Sequence, residues 1–313
     1  MDTIIRDLDC LETPLKNAVV TIGNFDGVHK GHWVLFKKVI ERAKSINGHS
    51  VVITFDPHPI KVMKPGNGPS LITPIDQKLH LISRTGVDHI FCLSFTKEFA
   101  SIQAKDFVEA LLIKKIGMRE IVVGYDYAFG RHREGDIALL RQLGQELGFK
   151  VHVVEPIHID KTLVSSTSIR EFIQEGELLK AKLLLGRDYQ ISGKVVKGMN
   201  RGGRLLGFPT ANLESIDELI PKRGVYAVTV DMDENSYHGV SNIGYNPTFG
   251  NNALSVETHV LDFSGDLLDK VIKINFIERL RDEKTFNGVK ELSDQIAKDI
   301  HKARESLKRK RED

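Results

Sequence analysis

The chain has 313 residues, of which 41% are hydrophobic and 27% charged, with a formal net charge of +2 at pH 7. That length and apolar share suit two globular cores, and the near-neutral charge gives no chain-wide pull toward nucleic acid or a membrane surface. No apolar run nears the roughly 18 residues needed to cross a bilayer, and Cys10 and Cys92, the only cysteines, make neither a disulfide framework nor a zinc site.

The first nine residues carry Asp2, Asp7 and Asp9 and no apolar stretch of the secretory kind, so a cytoplasmic location is expected. From residue 19 to residue 154, short β-rich runs alternate with helical patterns. Strands are predicted at Val19–Gly23, Val51–Phe55, His89–Leu93, Ile121–Gly124 and Val151–Val154. Cys92 falls inside the apolar run from Ile90 to Leu93 and reads as a buried strand residue. Thr73-Pro74-Ile75-Asp76 has the cap, proline and acid of a helix start, and Gly86 ends that helix. Ile137, Leu140, Leu143 and Leu147 form a helical stripe that stops at Gly148. Strands separated by helices imply right-handed crossovers and a parallel sheet, whose ligands sit beyond the carboxyl ends of the strands.

Ser168 and Glu171 read as a capping box for a helix closing at Gly176, and a shorter helix, Glu177–Leu185, ends at Gly186. The texture then changes. Val225–Asp231, Tyr237–Ile243, Val256–Asp262 and Val271–Ile277 have strand length and are separated by Gly, Asn and Asp turns. This predicts an antiparallel barrel. Val289, Leu292, Ile296, Ile300, Ala303 and Leu307 make the packing stripe of a terminal helix. The expected architecture is therefore α/β: a parallel-sheet domain over 1–185, then a β-barrel domain with a terminal helix over 186–313. The basic run Lys308–Arg311 is followed by Glu312 and Asp313 and reads as a solvated helix end.

Unusual residues collect where the predicted strands end. Thr21-Ile22-Gly23-Asn24-Phe25-Asp26-Gly27-Val28-His29-Lys30-Gly31-His32 runs from the first strand into the first helix. Its glycines permit close backbone approach. His29 and His32 fall at a helix start, where free N–H groups favour phosphate and two imidazoles can donate to charge building on a triphosphate. Asp56-Pro57-His58-Pro59 follows the second strand and Gly124-Tyr125-Asp126-Tyr127-Ala128-Phe129-Gly130 the fourth; turn chemistry alone accounts for either about as well as function does. Val164-Ser165-Ser166-Thr167-Ser168-Ile169-Arg170 places hydroxyls and a guanidinium at a helix start, a second anion site.

The second half has neither the P-loop nor the dinucleotide-binding glycine pattern. Gly198-Met199-Asn200-Arg201-Gly202-Gly203-Arg204 is a basic, glycine-rich stretch suited to phosphate, or equally a hairpin loop. In Pro209-Thr210-Ala211-Asn212, Thr210 and Asn212 project from one side of an extended chain and offer the hard oxygen ligands that magnesium takes. Glu257-Thr258-His259 lies within a strand, where an acid is as readily a solvent-face residue.

The HxGH turn, the Pro57-His58-Pro59 element, the GxDxxFG loop, the SSTxIR segment, PTAN and ETH, in this order, resemble the prokaryotic bifunctional riboflavin kinase/FAD synthetase family across about Val19 to Leu307. The resemblance implies an enzyme that phosphorylates riboflavin to FMN and adenylylates FMN to FAD, with ATP as co-substrate and magnesium as cofactor. It implies that His29, His32 and Arg170 act in adenylyl transfer, with Gly23, Phe25, Asp26, Gly31, Ser165, Ser166 and Thr167 around the nucleotide. In the barrel it implies Gly198, Arg204 and Asn212 at ATP, Thr210 and Asn212 on the metal, and Glu257 as the base that takes the proton of the riboflavin 5′-hydroxyl. Asp126, Asn242, Arg281 and Glu283 would face flavin, and Asn246-Pro247-Thr248-Phe249 matches a family segment near it. The chain departs from the family at the Gly202-Gly203 pair, which adds a loop residue, and at Leu268-Asp269, where the family often has Tyr-Gly.

Three other readings compete: an FAD synthetase with an inactive barrel, a different HxGH adenylyltransferase fused to an unrelated barrel, and a flavin-binding protein without chemistry. Intact Thr210, Asn212 and Glu257 oppose the first. PTAN and ETH have no explanation in the second, and His29, His32 and Glu257 have none in the third. The expected partners are small molecules, with no nucleic acid, no membrane and at most a weak homo-oligomer.

Overall fold

A computed structural model describes residues 3–66, 68–197, 210–214, 218–245 and 254–312. The chain forms two compact units, Met1–Ser165 and Ser166–Asp313.

The first unit is built on β1 (Thr3–Ile5), β2 (Ala18–Ile22), β3 (Ser50–Asp56), β4 (His89–Ser94), β5 (Met118–Gly124) and β6 (Lys150–Val154). They pair in parallel in the order β1-β4-β3-β2-β5-β6. The five strands expected from β-branched runs are present within a few residues. The addition is β1, a three-residue edge strand too short to show a period. Both faces of the sheet are covered, which explains why its strands read as continuous apolar runs. Val20, Ile53 and Phe91 pack with Phe107, Leu112 and Leu140 on one face. On the other, Val52, Ile90 and Cys92 meet Phe36, Leu79 and Ile82. Cys92 is buried as expected, and burial pushes its thiol pKa up, which leaves it inert.

The covering helices include α1 (Lys30–Ser45), α2 (Ile75–Ser83) and α3 (Ile137–Leu147), together with a π-helix, Phe107–Ile116. Asp136 caps α3 by accepting from Leu139 N at 2.8 Å, and left-handed Gly148 ends it. A buried carboxylate pins α1 to the sheet: Glu120 accepts from Arg42 Nε and Nη2 at 2.8 and 2.9 Å and lies 2.7 Å from His152 Nε2. The Arg42 guanidinium holds the Glu120 carboxyl below the usual carboxylate range. β7 (His158–Ile159) and β8 (Thr162–Leu163) form a small hairpin before the unit ends. The topology has one reversal that matters. β3 lies on one side of β2 and β5 on the other, so a crevice opens beyond the carboxyl ends of β2 and β5.

The second unit begins with α4 (Ser166–Glu175) and α5 (Leu178–Leu185). α4 starts at Ser166, two residues ahead of the Ser168 cap expected from sequence, because Ser166 and Thr167 already adopt helical geometry. The unit therefore starts earlier than the 185/186 division read from the sequence. Buried Ile169, Ile173, Leu178, Ala181 and Leu184 belong to it. Ile173 O accepts from Lys222 N at 3.2 Å. Strands β9 (Tyr189–Val196), β10 (Ala211–Leu213), β11 (Gly224–Met232), β12 (Asn235–Tyr245), β13 (Leu254–Val260) and β14 (Val271–Arg281) close an antiparallel barrel in the order β10-β13-β12-β11-β14-β9. The strand expected to end at Asp262 ends at Val260, and Asp262 instead takes a turn at φ 58° and pairs with Arg304.

The terminal helix, α6 (Val289–Glu312), packs Ala303 and Leu307 on Ala227 and Ile277 of the barrel. Its predicted stripe holds there but not at Val289, which is 58% exposed. Asp299 is buried on the same helix and forms a bidentate pair with Arg281, at 2.7 Å for the Nη2 contact. No periodicity of apolar residues announces a carboxylate in a packed face.

Candidate active sites

In the first unit the segment after β2 folds back sharply before α1. Phe25 and Val28 have φ of 48° and 41°, a left-handed conformation that costs a non-glycine residue about 1–3 kcal/mol. The surroundings enforce it. Asp26 is buried, and its carboxylate accepts from Ile72 N and Thr73 N at 3.0 and 3.1 Å, while Gly27 N donates to Thr73 Oγ1 at 3.0 Å. Phe25 turns its ring inward, edge-on to Phe36 and to His32. Gly23 is required under that ring, since a Cβ there would stand 2.8 Å from it.

His29 is the N-cap of α1 and His32 lies one turn on; their rings stack at 3.5 Å and 20°. His29 N donates to His32 Nδ1 at 3.3 Å, so a neutral His32 carries its proton on Nε2. Gly31 keeps the space beside His29 open, because a Cβ would come within 3.1 Å of the imidazole and 3.5 Å of the Val164 carbonyl. The stretch leading to Ser165 thus runs beside the histidine turn within this unit. Other strand ends supply the rest. His58 Nδ1 accepts from Ile60 N and caps a short helical turn, Pro59–Met63. Asp126 is exposed beyond β5, its carboxylate folded back toward Gly124.

Ser166, Thr167 and Arg170 belong to the second unit, Ser166 and Thr167 in the first turn of α4 and Arg170 one turn on. In the barrel, Asn212 pairs in register with Glu257, and Glu257 pairs with Asn242, so the three side chains form one row across β10, β13 and β12. The next residue along β13, Thr258, points inward and bonds Ser241 at 3.0 Å. Asn212 is buried, and its Oδ1 has no hydrogen-bond partner among the described residues. An amide oxygen held that way is a ready ligand for a hard cation. Thr210 is exposed, two residues before Asn212 on the same edge.

The Glu283 carboxylate occupies the space a side chain on Gly244 would need and pairs with Arg223 at 3.8 Å. That guanidinium lies over the Tyr245 ring. The row and Glu283 thus converge on one end of β12. Arg281 is differently placed: its guanidinium is taken up by Asp299 and by the Asp282 carbonyl. Gly198, Arg204, the Gly202-Gly203 pair and Asn246–Phe249 lie outside the described residues.

Two family models match the chain. The FAD synthetase family model matches residues 11–168 and the riboflavin kinase model residues 185–307. A bifunctional riboflavin kinase/FMN adenylyltransferase of Buchnera aphidicola is 39% identical over 95% of this chain and 96% of its own. The chain belongs to the bifunctional riboflavin kinase/FMN adenylyltransferase family. The protein of that name from Escherichia coli is 37% identical over 96% of this chain and 97% of its own. A crystal structure described as a macrolide-efflux protein from Streptococcus pneumoniae shares the architecture, with a TM-score of 0.85 at 32% identity over 97% of this chain and 98% of that one. The efflux description is that protein's. Among the described residues of the present chain, no helix is long and apolar enough to cross a membrane.

The motifs singled out in the sequence lie in both family regions, but the groups that hold the histidine turn carry no motif of their own. Thr73, read as a helix cap, supports the histidine turn, and Lys78 donates to two carbonyls beside it. Only the chain reversal from β2 to α2 brings those residues together.

Proposed function

We propose that the chain phosphorylates riboflavin to FMN in its barrel and adenylylates FMN to FAD in its parallel-sheet unit, using ATP in both reactions. The observation that carries this reading is that each family region contains its own phosphate chemistry: stacked His29 and His32 at a helix start, and Asn212 in register with Glu257. In the barrel, Glu257 takes the proton of the riboflavin 5′-hydroxyl as its oxygen bonds the γ-phosphorus, and the bond to ADP breaks. Asn212 and Thr210 would hold magnesium, which neutralises phosphate charge when bound, and the unpartnered Asn212 Oδ1 fits that role. Asn242 and Glu283 orient the flavin beside Glu257. Arg281, proposed to face flavin as well, anchors α6 through Asp299.

In the other reaction, a phosphate oxygen of FMN bonds the α-phosphorus of ATP and pyrophosphate leaves. His29 and His32 donate hydrogen bonds to the charge on the phosphates, together with backbone N–H groups at the start of α1. Gly23, Phe25, Asp26 and Gly31 set the turn. Asp26 acts through Ile72 and Thr73, since its carboxylate is committed to them. Ser165, Ser166, Thr167 and Arg170 are proposed phosphate contacts, and Asp126 would hold the ribose or flavin end.

The location is proposed to be cytoplasmic, since every substrate is a small soluble molecule. The cut that separates the activities is proposed at 185/186, at the start of the riboflavin kinase match. Incubation with riboflavin, ATP and magnesium, followed by chromatography of flavins, should show FMN first and then FAD. Unchanged riboflavin would overturn the reading, and FMN without FAD would confine it to the barrel.

A further inference from the structure

Lys78 lies in the first half of α2 and is 4% exposed. Its Nζ donates to the Asn24 carbonyl at 3.2 Å and to the Phe55 carbonyl at 3.1 Å. Those carbonyls occupy matching places. Asn24 immediately precedes left-handed Phe25, where the histidine turn begins, and Phe55 immediately precedes Asp56-Pro57-His58, the corner after β3. Lys78 also borders a small cavity shared with Asp26, Asp56, His58 and Thr73. One buried ammonium therefore joins two loops that leave adjacent strands at the substrate end of the sheet.

A neutral amide could bridge two carbonyls with far less desolvation cost than a buried charge. The ammonium adds something an amide lacks: a positive charge fixed beneath the carboxyl ends of β2 and β3, in a region of low dielectric. We propose that Lys78 is a positioning residue for adenylyl transfer, holding the histidine turn and the Asp56-Pro57-His58 corner at one point so that both loops meet the substrates in a single arrangement. This inference rests on the FMN-adenylylating function proposed above.

The titratable groups facing Lys78 come from the elements around it. Asp26 lies on the turn, Asp56 at the end of β3, and the Cys92 thiol on β4. Arg6, after β1, reaches Asp56 at 3.5 Å and Asp76 of α2 at 4.0 Å. Desolvation lowers the Lys78 pKa, and the neighbouring carboxylates of Asp26 and Asp56 only partly offset it. The clamp is thus complete at neutral pH and loosens as alkali removes the proton.

The test uses the full-length chain and measures both reactions on the same preparation. In Lys78→Met, kcat/KM for FMN adenylylation should fall about 10- to 100-fold with KM for FMN and ATP raised, because loops displaced by about 1 Å lose that much. Riboflavin phosphorylation should stay at the wild-type rate. Wild-type adenylylation should show an alkaline limb below about pH 10.4, the ordinary lysine value, and the limb should be absent from the residual activity of Lys78→Met. Wild-type kcat/KM in the variant would overturn the inference. So would a fall in kcat alone with the limb retained, which marks a merely structural lysine. If the first unit of Lys78→Met does not fold, the wild-type profile decides: adenylylation that stays level to pH 10.4 overturns the proposal. Wild-type protein that forms no FAD at any pH would instead strike the functional reading.

Discussion

On the proposed assignment, the two units handle phosphate by opposite means. In the first, the backbone is the instrument: a strained turn held by buried contacts from Asp26, Thr73 and Lys78 leads into a helix start with two stacked imidazoles. In the barrel, the side chains proposed for the chemistry, Asn212, Glu257 and Asn242, stand in a row across three paired strands. A strained turn needs a large supporting set, because each left-handed residue costs free energy that neighbours must offset. A barrel strand needs almost none, since pairing fixes which side chains share a face. The parallel-sheet site should accordingly be sensitive to changes far along the chain, and the barrel site mainly to changes in the row itself.

The sharpest way to break this comparison is Glu257→Gln. It should reduce FMN formation about 100- to 10,000-fold through loss of a positioned base, while conversion of added FMN to FAD stays near wild type. Flavin chromatography reads both steps, and an undiminished kinase rate would remove Glu257 from the chemistry.

His29→Ala and His32→Ala should show the reverse, with FMN accumulating and the FAD rate down about 100- to 1,000-fold, or about 2.7–4 kcal/mol of barrier. Because the rings stack on each other and serve one phosphate cluster in the proposed reaction, the double variant should lose much less than the product of the single losses. Multiplicative losses would mean two separate roles.

Stability sharpens the same contrast. Glu120→Gln removes a buried charge that binds Arg42, and should destabilise the first unit by about 1.5–3 kcal/mol, the range for hydrogen bonds to charged groups. The folded-state pKa of Glu120 is depressed, so its contribution is present above the usual carboxylate range and is lost as pH falls through the lower folded value. Calorimetry below about pH 4 should therefore find the variant closing on wild type. A gap that persists or widens there would refute the linkage.

The smallest effect expected concerns where the barrel begins. Fragments starting at Ser166 and at Gly186 should both convert riboflavin to FMN. The longer one should melt several degrees higher, because Ile169, Ile173, Leu178 and Ala181 keep their packing. Equal melting temperatures would show that α4 and α5 add nothing to this core.

The sequence by itself determined the fold class, five of the six strands of the parallel sheet, and both motif sets. Glycine spacing, capping residues and apolar periods are local, and local patterns survive in a linear reading. His29 and His32, or Thr210 and Asn212, stand close along the chain, so their convergence follows from helix and strand geometry alone. Tertiary structure decided what supports them. The Asp26–Thr73 contact, the Lys78 bridge from Asn24 to Phe55, and the Arg281–Asp299 pair each join residues far apart in sequence. Asp26 and Arg281 read as ligand contacts in the sequence, and the fold gives each side chain protein partners as well, Ile72 and Thr73 for Asp26 and Asp299 for Arg281. The physical reason is that burial makes a charged group take whatever partner the packed neighbours supply, and those neighbours exist only once the sheet and the barrel have closed.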